Sequence, residues 1–177
     1  DFYESGKIHF IGVSNWTTQR IEEANKFAEE NGMEPIRISQ INYSLAHSSV
    51  ETFGDNTLVC MDTKEFRWYK KHDFPVMAFS PQAKGFFSKL AKGDAANNLP
   101  EGQYAGPANL ARLAKVKQLS EQTGDTPAKI TLGYLNSQPF FVSSVFAVTK
   151  LWQLDEDMEA QDLTYDPKTV AFLENMI

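Results

Sequence analysis

Four short runs of apolar, β-branched and aromatic residues alternate with helix-forming segments, and this alternation constrains the fold more than any other feature. The runs are Ile8–Val13, Ile36–Tyr43, Pro75–Phe79 and Val142–Val148. Near-continuous apolar runs of this length suit strands buried on both faces, as in parallel sheets covered by helices. Tyr3–Gly6 reads as the last turn of a helix, with Gly6 as its stop. Thr17 or Thr18 then caps a helix whose apolar stripe is Ile21, Ala24 and Phe27, closed by Gly32. Asp62 and Glu65 have capping-box spacing and open a helix over Thr63–Lys71. Leu110, Leu113 and Leu119 mark a helix ending at Gly124. Thr126-Pro127 places a cap before a proline at the first helical position, so another helix runs to about Asn136. Helices near Trp152–Gln161 and Pro167–Met176 follow the fourth run. Ser44–Met61 and Gly85–Pro107 read as long loops. The pattern argues for parallel βαβ units. It leaves open whether the sheet is doubly wound or forms part of a (βα)₈ barrel.

Composition narrows the function classes. The 177 residues are 42% hydrophobic and carry 17 Lys+Arg against 23 Asp+Glu, a formal net charge of −6. A globular chain with that sign is a poor binder of nucleic acid or anionic membrane. No apolar run reaches the roughly 18 residues of a membrane span and no signal peptide is visible. The single cysteine, Cys60, excludes an internal disulfide or a Cys-built zinc site and fits a reducing cytoplasm. His9, His47 and His72 lack metal-ligand spacing, so no metal is expected. Glycine-rich dinucleotide and phosphate loops and the GxSxG nucleophile elbow are all absent.

In parallel α/β proteins, ligands are held at the C-terminal ends of the strands. Those ends carry Ser14-Asn15-Trp16, Gln40 with Tyr43, Phe79-Ser80-Pro81-Gln82 and Thr149-Lys150. Amides, hydroxyls, one large flat ring and one cation suit a polar planar ligand held by hydrogen bonds and stacking. Taken alone, the same residues read more simply as helix caps and loop hydrogen bonds.

In this order and spacing the sequence resembles the aldo-keto reductase family. The matching stretches are Gly6–Trp16, Gln40–Ser44, Ala78–Ser88, and Thr149-Lys150 followed by Gln153–Asp157. The resemblance implies that residues 1–177 are the C-terminal half of a TIM (βα)₈ barrel, strands five to eight. It also implies an oxidoreductase that moves a hydride between NADP(H) and a small-molecule carbonyl or alcohol. By resemblance, Ser14, Asn15 and Gln40 bond the nicotinamide carboxamide, and Phe79 stacks on its ring where Tyr is more usual. Ser80, Pro81, Gln82, Ala83, Lys84 and Gly85 match the loop over the pyrophosphate. Thr149 and Lys150 sit where a cation meets the 2′-phosphate, and Gln153, Glu156 and Asp157 match the helix face around the adenosine. Trp16, Phe86, Phe87 and Trp68 are aromatic candidates for the substrate pocket, with core packing as their other role.

Three departures accompany the resemblance. Ala147 stands where the family often has Gly, Asp157 where Asn is usual, and no residue matches the family's Asp, Tyr, Lys and His tetrad. No residue of this chain is therefore assigned a catalytic role. The expectation is a cofactor half-site on an open half-barrel, inactive alone and prone to self-association. The alternatives are a non-catalytic nucleotide-binding or regulatory module, and an independent four-stranded doubly wound domain.

Overall fold

The computed structural model describes residues 2–93 and 103–174. Parts of the expected Gly85–Pro107 loop and of the Pro167–Met176 helix lie outside the described residues. Four strands, β1 (Ile11–Ser14), β2 (Ile36–Asn42), β3 (Val76–Phe79) and β4 (Val142–Val145), form one sheet in the order β1-β2-β3-β4. Every neighbouring pair is parallel. A doubly wound sheet reverses its strand order at a switch point. This sheet does not, and sequential order with helical crossovers is the arc of a barrel.

The register separates the two faces. Ile41, Val76 and Ala78 are fully buried and join the core with Tyr69, Val116, Ile130, Leu135 and Leu173 from the helices. The alternate positions, Ser14, Gln40, Met77 and Phe79, are half-buried or exposed on the opposite face. Gly12 shares that second face. A Cβ there would lie 2.6 Å from Ile38 Cγ2, so β1 approaches β2 only because position 12 has no side chain.

The helices are α1 (Thr18–Glu30), α2 (Val50–Phe53), α3 (Thr63–His72), α4 (Phe86–Ala91), α5 (Pro107–Thr123), α6 (Pro127–Asn136), α7 (Leu151–Met158) and α8 (Pro167–Glu174). The caps sit where the sequence places them. Thr17, Asp62 and Thr126 side chains accept from Arg20, Glu65 and Lys129 N–H groups. The last turn before Gly6 shows the paired bonds of a Schellman motif, Lys7 N–H to Phe2 O and Gly6 N–H to Tyr3 O.

Several expectations are corrected. The stripe of α1 runs through Ile21 and Ala28, while Phe27 is 57% exposed. The two long loops contain helices: α2 with a Ser49–Thr52 capping box, and α4, which follows β3 after a 3₁₀ turn at Ala83–Gly85. Asp62 and Glu65 form only half of their box. The Glu65 carboxylate instead accepts from Thr18 N–H at 3.0 Å and pairs with the Thr18 hydroxyl at 3.3 Å, which ties α3 to the first turn of α1.

Candidate cofactor site

The residues expected at the strand ends fall into two adjoining groups. The first lies on the uncovered face of the sheet. Ser14 and Gln40 are cross-strand partners, and the Asn15 N–H donates to the Gln40 carbonyl at 2.9 Å. Asn15 Oδ1 accepts from the Val59 N–H at 3.1 Å, so the long β2–α3 connection holds its amide. One strand further on, Phe79 is half-buried on the same face.

The second group lines a groove of about 730 Å³ between the β3–α4 turn and the segment after β4. That volume is within the roughly 300–1,000 Å³ of ligand clefts. One wall is Ser80, Pro81, Gln82, Lys84 and Gly85; the other includes Thr149, Gln153, Glu156 and Asp157. Ala83 is buried between wall and core. Ser88, Lys89, Lys92, Ala147 and Trp152 also line it, and sequence reasoning missed the contributions of Lys89, Lys92 and Trp152. Lys92 Nζ lies 5.2 Å from the Trp152 ring centroid, so this flat ring already carries a cation. Lysines four and seven residues past Gly85, the expected loop end, were the available signal.

Backbone strain concentrates here. Among the described non-glycine residues, Asn15, Asp73, Ser80, Ala83 and Lys84 have positive φ, and all but Asp73 belong to the expected site. Ala83, Lys84 and Gly85 are left-handed in succession, with φ of 50°, 54° and 79°. Each non-glycine left-handed residue costs about 1–2 kcal/mol, and such strain clusters at functional sites. Lys89 Nζ braces this turn by donating to the Lys84 carbonyl at 3.0 Å, and Lys84 Nζ donates to Gln103 Oε1 at 2.8 Å.

The groove fits a phosphorylated, amino-bearing ligand by its donor set. It presents three lysines and the hydroxyls of Ser80, Ser88 and Thr149, with Glu156 and Asp157 as acceptors. Two features reshape the expected contacts. Gln153 Oε1 accepts from the N–H groups of Thr149 and Lys150 and from the Thr149 hydroxyl, so Gln153 caps α7. Asp157 is 4% exposed and accepts from Gln82 Nε2 at 2.6 Å. Burial pushes its carboxyl above the usual range, the Gln82 bond opposes that, and Glu156 adds to it. Lys150 is exposed at the start of α7.

The aromatic candidates scatter. Trp16 is half-buried under the Arg20 guanidinium, 3.8 Å from the ring centroid. Phe86 and Phe87 are each 1% exposed and sit in the core, edge to face at 5.1 Å. Trp68 lies at the opposite end of the sheet, donating to Glu22 and lining an apolar hollow with Phe10, Met33, Phe74 and Phe141. Among the described residues, no group of three or more His, Cys, Asp or Glu is placed to hold a metal. Burial pushes the Cys60 thiol up, which suits an inert thiol.

Residues 1–177 match the sequence profile of the Aldo/keto reductase family. The chain belongs to that family. It is 22% identical over 176 residues to Protein tas of Escherichia coli K12 and of Shigella flexneri, covering 98% of this chain and 49% of each relative. The chain thus spans about half the length of the curated relatives it matches. Among solved structures, a thermostable aldo-keto reductase in complex with the inhibitor epalrestat superposes with a TM-score of 0.64 at 18% identity. That match covers 98% of this chain and 50% of the neighbour, so the four strands follow the aldo-keto reductase barrel. No described helix is long and apolar enough to cross a membrane.

Proposed function

We propose that this chain supplies the nucleotide-binding half of an NADP(H)-dependent oxidoreductase acting on a small carbonyl or alcohol. The observation that carries this reading is the continuity of the site. Phe79, on the face with Ser14 and Gln40, is followed in the chain by Ser80 and Pro81, which begin the groove wall. When bound, the cofactor supplies a hydride at its nicotinamide carbon.

The chain's own residues hold and orient. Ser14, Asn15 and Gln40 offer donors and acceptors to a carboxamide, and Phe79 offers a ring face that fixes which side of the nicotinamide is exposed. The strained turn at Ala83–Gly85 and the lysines at 84, 89 and 92 would hold the phosphates, and Lys150 would meet a 2′-phosphate. Asp157 accepts from an amino group but has no proton to offer one. These residues bind and orient, and the proton transfer to the carbonyl oxygen is assigned to none of them.

The test is a fluorescence titration with NADPH and NADH. Saturable micromolar NADPH binding, weaker for NADH and weakened at least tenfold in Phe79→Ala, supports the reading. No saturation with either at millimolar concentration refutes it.

A further inference from the structure

We propose that Asn42 is the positioning residue for the nicotinamide end of the site, a single buried amide that sets Asn15 and Phe79 relative to each other. The inference rests on the nucleotide reading above and deepens it. Asn42 is the last residue of β2, opposite Phe79 in the register and 1% exposed. Its polar atoms are all engaged. Nδ2 donates to the Phe79 carbonyl at 3.4 Å, and Oδ1 accepts from the Ser48 hydroxyl at 2.6 Å. Its backbone N–H donates to the Val59 carbonyl at 3.0 Å, and its carbonyl accepts from the Met61 N–H at 2.9 Å. Val59 in turn donates its N–H to Asn15 Oδ1 at 3.1 Å.

A hydrogen-bond chain therefore runs from Asn15 through Val59 and Asn42 to Phe79, from the end of β1 to the end of β3. The two ends are the groups that would grip the carboxamide and the ring, and they sit on strands separated by β2. Asn15 is held at a left-handed φ of 56°, a conformation that persists only where its surroundings fix it. A binding constellation is as precise as the shell behind it, and a buried amide with all its partners is a stiff support. The β2–α3 connection thereby becomes part of the site without touching the ligand.

The test compares Asn42→Asp with the parent chain. Aspartate keeps the volume and the acceptor for Ser48 but cannot donate to the Phe79 carbonyl. NADPH affinity is expected to fall about tenfold, the scale of one lost buried hydrogen bond. Affinity for 2′,5′-ADP, which has no nicotinamide, should stay within about twofold on the same scale. Equal loss for both ligands, or no loss for either, overturns the proposal. Failure of the parent chain to bind either ligand would instead refute the nucleotide reading. Amide exchange at residues 58–61 gives an independent readout. Faster exchange in Asn42→Asp at an unchanged melting temperature supports the shell, and unchanged exchange overturns it.

Discussion

Gln82 donates its side-chain amide to Asp157 across the groove at 2.6 Å, joining two walls that are 75 residues apart in the chain. Replacing Gln82 by Leu leaves a nearly buried carboxylate without that donor. The expected cost is about 1–3 kcal/mol, the penalty of stranding one buried polar group. A denaturant titration of Gln82→Leu checks it, and a loss below a few tenths of a kcal/mol would place the bond among dispensable contacts.

Asp157 also sets a pH dependence. Its folded pKa is raised, chiefly by burial, so the folded state holds this proton more tightly than the unfolded chain does. The stability it contributes is complete below the unfolded value of about 4 and is lost as pH rises through the higher folded value. Glu65 has the same sign, raised by burial against the opposing Thr18 bond. Asp157→Asn keeps an oxygen for Gln82 and removes the charge. Melting curves between pH 4 and pH 8 should show the variant gaining on the parent chain as pH rises. A variant that loses ground at neutral pH contradicts this sign.

The left-handed turn allows a clean comparison at Lys84, which is exposed. Lys84→Ala and Lys84→Gly both lose the ammonium and its bond to Gln103. They differ mainly in how easily they adopt a φ of 54°. The glycine variant should be the more stable by about 1 kcal/mol. Equal stabilities by chemical denaturation would mean the turn is not held in this conformation.

Phe10 and Phe141 directly precede the edge strands β1 and β4 and are 70% and 63% exposed. Unpaired parallel edges beside exposed aromatics invite association. Sedimentation velocity at micromolar concentration is expected to show concentration-dependent oligomers, reduced in the Phe10→Ser, Phe141→Ser double variant. A compact monomer at all concentrations, with one cooperative thermal transition, contradicts this.

The strands and most helix ends were legible because they rest on local chemistry. Thr126-Pro127 marks the start of α6, and four apolar runs become four strands. Periodicity alone placed Phe27 on the buried stripe, yet the groove between α1 and its neighbours takes Ala28 instead. The helices α2 and α4 hide in polar or glycine-bearing stretches because their stability comes from tertiary contacts and caps rather than from a repeating stripe. At the site, residue types and positions could be read, but partners could not. Gln153 turning back to cap α7, Asp157 bound to Gln82, and Glu65 serving Thr18 instead of its own helix all depend on distances that only the folded chain sets. Strand order could not be read either, since alternation fits both open and closed sheets.

The most direct test of the central claim is a hydrogen-exchange footprint of NADPH on the intact chain. Slowed exchange at residues 14–15, 79–89 and 149–157, with the Phe10–Met33–Phe141 end unchanged, is the expected result. A footprint confined to that opposite end, or none at saturating nucleotide, would contradict the assignment of this groove as the cofactor site.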